Sequence, residues 1–354
     1  MSTISFIFPH PADGPAGGFK VIYEYANRLV ADGHEVNIIY SGSLFWKKKS
    51  LYFKITNCIR YIQRLFKGYS CKSWFALDKR VKEHFTLSLN YRHVPKSDIY
   101  ICTSPYTAMY VKDYPTENKY YFIQGYENWG GVTDEILRST YHYPLKKIVV
   151  SDWLKEIINK EGEHCEVVTN GFDFNYFGLT IPIMEKNKYK VAMVYSPIEI
   201  KGCKYGFEAL NNVKKTFPEL TVTMYGSATK PAELPEWYTY HITPDKELHN
   251  NIYNEASIFL ATSLQEGWGL TIGEAMICGQ AVVCTNNRGY KEVATDEVNA
   301  LICNIKDSDA LAQSIIKLIS NDELRYRIAE RGHRDIQKYN IKFSYLKLKS
   351  VLGL

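Results

Sequence analysis

Residues 256–284 read ASIFLATSLQEGWGLTIGEAMICGQAVVC. The run ASIFLA (256–261) has the length and apolar content of a buried strand, and AVVC (281–284) repeats the signal after Gly279 has stopped a short helix. Glu266 and Glu274 stand on either side of a Gly-Trp-Gly-Leu turn, and Glu274 is read as opening that helix. Carboxylates accept hydrogen bonds from hydroxyl groups, and backbone N–H groups at a helix start hold phosphate. One turn of this kind can grip sugar and phosphate together. The alternative is a solvated helix start, where Glu is favoured in any case.

Outward from this block the same grammar repeats: short apolar strands alternate with longer helical patterns, which points to parallel sheets covered by helices. In the first half the expected strands are ISFIF (4–8), EVNIIY (35–40), DIYIC (98–102), KYYFIQ (119–124), KKIVV (146–150) and CEVV (165–168). A helix is expected from Phe19 to Ala31 with Val21, Ile22, Tyr25, Leu29 and Val30 near one face, and another opens at a Ser151-Asp152 cap. Asn170-Gly171 is a turn that closes this half, and residues 177–190 read as a linker. The second half restarts with YKVAMVY (189–195), then a helix over 204–216, LTVTMYG (220–226), the opening block, ALIC (300–303), and helices over 307–320 and 322–338. The expectation is an α/β protein of two Rossmann-like, doubly wound domains. Residues 1–178 form the first and 187–338 the second, with a helix at 339–354. Ligands of such folds bind outside the carboxyl ends of the strands.

Composition bounds the function. At 354 residues the chain suits two domains, and 45% hydrophobic and 23% charged residues are ordinary for a folded protein. The N-terminus MSTISFIFPHPADG lacks the basic region of a signal peptide, and no stretch reaches the length of a spanning helix. Eight cysteines lie singly, without metal-binding spacing, which argues against zinc and for a reducing, cytoplasmic setting. The net charge of +5 is unevenly placed: no acidic residue lies between Glu35 and Asp78, where eight Lys and Arg residues interleave with aromatic and aliphatic ones. This basic, aromatic segment (43–72) suits the face of an anionic bilayer, and no nucleic-acid motif accompanies it. The bland reading is a basic surface loop with a buried apolar stripe.

Several strand-end loops carry candidate chemistry. PHPADGPAGGFK (9–20) places Gly17 and Gly18 at a helix start, where backbone can approach a phosphate, but the dinucleotide spacing G-x-G-x-x-G is absent. YSPIEIKG (195–202) offers Ser196 and Lys201 between a strand and a helix, a place for a diphosphate. NNRGYKE (286–292) adds Arg288. In the first half FIQGYENW (122–129) mixes Gln124 and Glu127 with aromatic rings, and His10 follows the first strand. Asp307-Ser-Asp309 has the form of a metal motif, but it precedes an apolar helical run and reads as a helix cap; no metal is assigned.

The order of these features resembles glycosyltransferase family 4, the retaining family of GT-B architecture. GGFKVIYEYANRLVADGHEVNII (17–39) is similar to its Gly-Gly loop, first helix and second strand. VVSDWLKEIINKEG (149–162) with VVTNGFDFNYF (167–177) is similar to its later first-domain elements. The stretch from Ile252 to Ile302, with two glutamates bracketing seven residues, resembles its most diagnostic block. The form GGFKVIYEYANRL and the Gln-x-Tyr-Glu loop are similar to transferases of bacterial surface-polysaccharide assembly, rhamnosyltransferase-like members among them. The resemblance implies two domains facing across a cleft, with the terminal helix crossing back to the first.

It further implies that Glu274 binds the ribose hydroxyls and that Glu266 contacts the donor sugar. Backbone N–H groups of Gly269, Leu270 and Thr271 would hold sugar hydroxyls or the distal phosphate, Lys201 would neutralise the leaving diphosphate, and Gly17-Gly18 would close over it. Two positions depart from the family pattern: Ser196 stands where an Arg is usual, leaving the diphosphate grip one cation short unless Lys204 or Arg288 supplies it. Gln124 stands where a His is common, which bears on the donor sugar. The expected function is retaining, metal-independent transfer of a hexose-type sugar from a nucleotide-diphosphate donor to a glycan acceptor, lipid-linked, by a cytoplasmic protein peripheral to the plasma membrane. No cofactor beyond that donor is expected, and no nucleic-acid partner. The alternatives are a nucleotide-sugar epimerase of the same architecture, for which no acid/base pair is evident, and a binding subunit without catalysis.

Overall fold

The structure, a computed structural model, describes residues 1–12, 14–41, 55, 56, 58, 59, 62, 63, 66, 71, 74–128 and 131–354. Lys47, Lys48, Lys49 and most of the basic, aromatic segment, like Trp129, lie outside the described residues. The chain divides into two compact units. One comprises Met1–Thr169 with Tyr345–Leu354, and the other Asn170–Ser344.

The first unit is built on strands β1 (Thr3–Phe8), β2 (Glu35–Ser41), β3 (Lys82–Thr86), β4 (Ile99–Cys102), β5 (Lys119–Ile123), β6 (Lys146–Val149) and β7 (Cys165–Val167). They form one parallel sheet in the order β3-β2-β1-β4-β5-β6-β7. Phe6, Ile38 and Ile101 are aligned across its centre and fully buried, as a sheet covered on both faces requires. Helix α1 (Gly17–Ala31) buries Val21, Ile22, Tyr25, Leu29 and Val30, the face read from the 3.6-residue period. Farther along this unit lie the shorter helices α2 (Pro105–Val111), α3 (Asp134–Tyr141) and α4 (Asp152–Lys160).

The second unit carries β8 (Asn187–Val194), β9 (Thr221–Gly226), β10 (Tyr238–Ile242), β11 (Ala256–Ala261), β12 (Ala281–Thr285) and β13 (Ala300–Cys303), in the order β10-β9-β8-β11-β12-β13. Its helices are α5 (Cys203–Thr216), α6 (Lys246–Glu255), α7 (Leu270–Ile277), α8 (Ser308–Ser320) and α9 (Asp322–Ile336). Val191, Met193, Ile258, Leu260 and Val283 from three adjacent strands meet Leu210 and Val213 of α5 and Leu311, Ile315 and Leu318 of α8 in one core.

Differences from the sequence reading are local. Strands β3 and β10 and helices α2, α3 and α6 were not expected. KEHFT and YTYHI are edge strands with one neighbour each, half-buried or exposed along much of their length, so neither shows the apolar run of a central strand. Helix α7 starts at Leu270, so Glu274 lies inside the helix and does not open it. Ser151 occupies the N-cap of α4, yet its side chain makes no capping bond and its buried Oγ has no partner. Asp307 does cap α8, accepting from the N–H of Ala310 at 2.9 Å. Residues 177–190, read as a linker, are part of the second unit, where the N–H groups of Gly178 and Thr180 donate to Asn250 and Asn254. Within it Lys186 donates to the carbonyls of Tyr253 and Asn254 at the end of α6, and burial pushes its ammonium down to about 8.

The two ends of the second unit are clamped together. The N–H of Phe172 donates to the carbonyl of Tyr339 at 2.8 Å, and that of Ile341 to Phe172 at 3.0 Å. A Cβ on Gly171 would lie 2.5 Å from the Ile341 Cα, which is why the Asn-Gly dipeptide stands there. The terminal helix α10 (Ile341–Leu352) then continues into the first unit. Tyr345 Oη and Lys349 Nζ both bond to Asp32 just past α1, and Tyr120 of β5 donates to the carbonyl of Val351.

Candidate functional site

In the second unit the strand order turns back between β8 and β11, the place where doubly wound sheets leave a crevice at their carboxyl edge. The chain leaving β8 makes a 3-10 turn at Glu199–Lys201 and reaches Gly202, which has a left-handed φ of 61°. A Cβ on Gly202 would stand 2.2 Å from the carbonyl of Thr262, beyond the end of β11, so only glycine allows these two exits to touch. Thr262 Oγ1 donates to the Lys201 carbonyl at 2.9 Å, and the N–H of Leu264 to that of Ile200 at 2.8 Å. Thus stitched, Lys201 Nζ donates to Glu266 Oε1 at 2.7 Å. The pair is partly open, with side-chain exposures of 37% and 19%.

The β12 exit closes against the other side of Glu266. A Cβ on Gly289 would come within 2.4 Å of the Glu266 carbonyl, and Asn287 Nδ2 donates to Ser263 at 2.9 Å. Arg288 is exposed on this loop. Gly269 is the N-cap of α7, without a side-chain cap, so Leu270 and Thr271 form a first turn whose N–H groups have no carbonyl one turn earlier. Glu274 is buried, and its Oε2 accepts from Tyr253 Oη at 3.0 Å. Ser196 is engaged in its own turn: its Oγ accepts from the N–H of Ile198, and its N–H donates to Cys203 Sγ. Ser196, Lys201, Glu266, Gly269, Leu270, Thr271, Glu274 and Arg288 therefore all stand beyond the carboxyl ends of β8, β11 and β12, three adjacent strands.

Gly17, Gly18 and Gln124 belong to the first unit. A Cβ on Gly18 would meet the Gln124 amide at 3.2 Å, so the side chain leaving β5 lies against the first turn of α1. His10 is turned toward its own loop, with Nδ1 2.8 Å from the Pro11 carbonyl and its ring 5.6 Å from Phe19. Glu127 is partly exposed as a residue, but its Oε2 is buried without a hydrogen-bond partner, and burial pushes the carboxyl up to about 8. No group of three or more His, Cys, Asp or Glu side chains among the described residues is placed to hold a metal ion.

Sequence reasoning missed the aromatic support of this site. Phe172 lies against α7 at Gly273, where an added Cβ would strike its ring at 2.1 Å, and it stacks toward Trp268, which in turn meets Tyr339. Tyr225 was read only as part of a strand and Tyr253 was not singled out; the bond of Tyr253 to Glu274 and the contact of the two hydroxyls leave no signal in a linear pattern.

Comparison with known proteins completes the description. Residues 182–335, all within the second unit, match the family model described as glycosyl transferases group 1. Over 105 residues the chain is 33% identical to O-antigen chain mannosyltransferase B of Escherichia coli, which covers 29% of this chain and 27% of that protein. Over 141 residues it is 31% identical to the phosphatidyl-myo-inositol mannosyltransferase of Propionibacterium freudenreichii, covering 40% and 36%. The chain thus spans about a quarter to a third of the length of these two curated relatives. Among solved structures, Anabaena Alr3699/HepE in complex with UDP-glucose superposes with a TM-score of 0.74 at 15% identity, over the whole of both chains. The sucrose-phosphate synthase of Thermosynechococcus elongatus gives 0.72 at 13% identity, over 100% and 98%. These likenesses show the fold, two Rossmann-like units of the GT-B kind.

Proposed function

We propose that this protein is a retaining, metal-independent glycosyltransferase that moves a hexose-type sugar from a nucleotide-diphosphate donor to a lipid-linked glycan acceptor. The observation that carries the reading is the Lys201–Glu266 pair, set across the switch point of the second unit with the uncapped start of α7 beside it. A cation and a row of free N–H groups suit a diphosphate, and carboxylates suit the hydroxyls of ribose and sugar. The match of residues 182–335 to group 1 glycosyl transferases, and the UDP-glucose held by a structural neighbour, support the same assignment.

In this reading Glu274 binds the ribose, and Glu266 orients the donor sugar and holds Lys201 in place while the diphosphate is absent. As the bond from C1 to the diphosphate breaks, Lys201 and the N–H groups of Leu270 and Thr271 meet the growing negative charge. The acceptor oxygen bonds to C1 on the same face, and its proton passes to the departing phosphate oxygen. Stabilising that leaving group is then the main catalytic effect. Ser196 contributes no charge, and Arg288 on the neighbouring exit is the cation available in its stead. The first unit receives the acceptor, near Gln124.

The acceptor is placed at an anionic membrane by the run without acidic residues between Glu35 and Asp78. Ile55, Ile59, Ile62 and Phe66, spaced four, three and four apart, are all exposed, Phe66 to 88%. No helix among the described residues is long and apolar enough to cross a membrane. Replacing Lys47, Lys48 and Lys49 by Glu should abolish co-sedimentation with phosphatidylglycerol vesicles; undiminished co-sedimentation removes the membrane from the proposal.

The test of the activity is incubation with UDP-, GDP- and dTDP-sugars in the presence of EDTA. Slow release of nucleoside diphosphate and of free sugar with the donor's anomeric configuration is expected. An epimerised nucleotide-sugar, or binding without turnover, would overturn the assignment.

A further inference from the structure

Glu274 is surrounded by aromatic hydroxyls from two other elements. Tyr253 lies on α6 and Tyr225 on β9, and both rings are buried. Tyr253 Oη is 3.0 Å from Glu274 Oε2, and the hydroxyls of Tyr225 and Tyr253 are in close hydrogen-bonded contact. Tyr253 Oη donates to Glu274 Oε2, so its single proton points to Glu274. Tyr253 must then accept from Tyr225, which orders both protons in one direction. A competing acceptor, the Thr271 carbonyl, stands farther away at 3.4 Å. Burial holds both phenols well above their ordinary range, so neither gives up its proton at neutral pH.

The ring of Tyr253 cannot swing away from this arrangement. His249 stacks on it at 5.3 Å, and Phe177 and Phe259 close on it at 5.4 and 5.5 Å. A carboxylate on a helix turns about its own side-chain bonds, and binding a diol at fixed geometry requires that freedom to be removed beforehand. Tyr253 supplies a fixed donor to one oxygen from outside the helix.

We propose that Tyr253, oriented by Tyr225, is a positioning residue that fixes the plane of the Glu274 carboxylate for the ribose hydroxyls of the donor nucleotide. The inference rests on the assignment of Glu274 to the ribose and adds the residues that make that contact specific.

The experiment is titration calorimetry of UDP and GDP, each against its 2′,3′-dideoxy counterpart. Wild-type protein should favour the ribonucleotide of its preferred base by about tenfold or more, the scale of a hydrogen bond to a charged group. Tyr253→Phe keeps the ring and its neighbours; it should lose most of that preference while binding the dideoxy nucleotide as the wild type does. A merely structural role would weaken both nucleotides alike. Tyr225→Phe leaves the direct bond to Glu274 in place and should cost roughly threefold of the preference, which covers the case of a Tyr253→Phe protein that does not fold. A preference unchanged in either folded variant overturns the role given to that residue. A wild type that treats the ribo and dideoxy nucleotides alike removes the ribose assignment itself, and this inference with it.

Discussion

The first six strands of each unit run through the same order, third-second-first-fourth-fifth-sixth, with a seventh added in the first unit, yet the two arm their strand exits differently. In the second, the exits of β8, β11 and β12 carry Lys201, Glu266 and Arg288, with Glu274 one helix turn farther in. In the first, the exits of β1 and β5 carry Gly17-Gly18, an amide at Gln124 and a carboxyl group at Glu127 that burial keeps neutral at pH 7. Among the described residues, the second unit's exits gather Lys201, Glu266 and Arg288, whereas in the first unit Lys20 in the opening turn of α1 is the charged neighbour of the two glycines. A diphosphate has a fixed charge that must be met, whereas a glycan acceptor is neutral at its hydroxyls and asks for shape and hydrogen bonds. On the proposed function, the same scaffold holds both partners because its loops, and not its sheets, differ.

The sharpest way to break this comparison is to remove charge from the second unit. Lys201→Ala should lower kcat/KM by about 10²–10³, the scale of losing a group that meets charge in the transition state, whereas Gln124→Ala should leave nucleotide affinity at the wild-type value. Steady-state rates together with nucleotide titrations on both variants check this, and a Gln124→Ala protein that binds nucleotide poorly would reverse the roles of the units. Next in size, Glu274→Ala should weaken nucleoside diphosphate binding by about ten- to a hundredfold, from the loss of charge-assisted hydrogen bonds. Unchanged affinity would remove the ribose contact.

The last effect belongs to the first unit and is one of stability, not of rate or binding. Glu127 has its carboxyl pushed from 4.5 to about 8, so between these values the folded protein binds the proton that the unfolded chain has released. Stability contributed by the neutral group is therefore fully present below pH 4.5 and lost as pH rises toward 8, at up to about 1.4 kcal/mol per pH unit. Glu127→Gln keeps the neutral form at every pH. Its Tm should exceed that of the wild type at pH 8 and match it near pH 4.5; parallel melting curves across that range would show that Glu127 is ionised in the fold.

Much of this architecture was legible in the sequence because parallel strands buried on both faces leave apolar runs that polar loops cannot imitate. ASIFLA and ALIC are strands to the residue. What escaped reading escaped for physical reasons. The edge strands KEHFT and YTYHI occupy the same place in the two sheets, outermost beyond β2 and β9, where a single neighbour suffices and polar residues are tolerated. The start of α7 was misplaced because Gly269 offers no side chain to announce a cap. The strand-end residues were legible as candidates one at a time. The ion pair of Lys201 with Glu266, 65 positions apart, and the bond from Tyr253 to Glu274 are products of the fold and have no linear trace.

The helix that returns to the first unit has a consequence for the order of assembly. Tyr345–Leu354 are made after the whole of the second unit, yet they belong with strands made before it. The second unit, an uninterrupted segment, can acquire its structure during synthesis, while the first stays one helix short until α10 has been made. A stop after Ser344 would thus strip the first unit of the bonds from Tyr345 and Lys349 to Asp32 and from Tyr120 to Val351, while sparing the segment that matches group 1 glycosyl transferases.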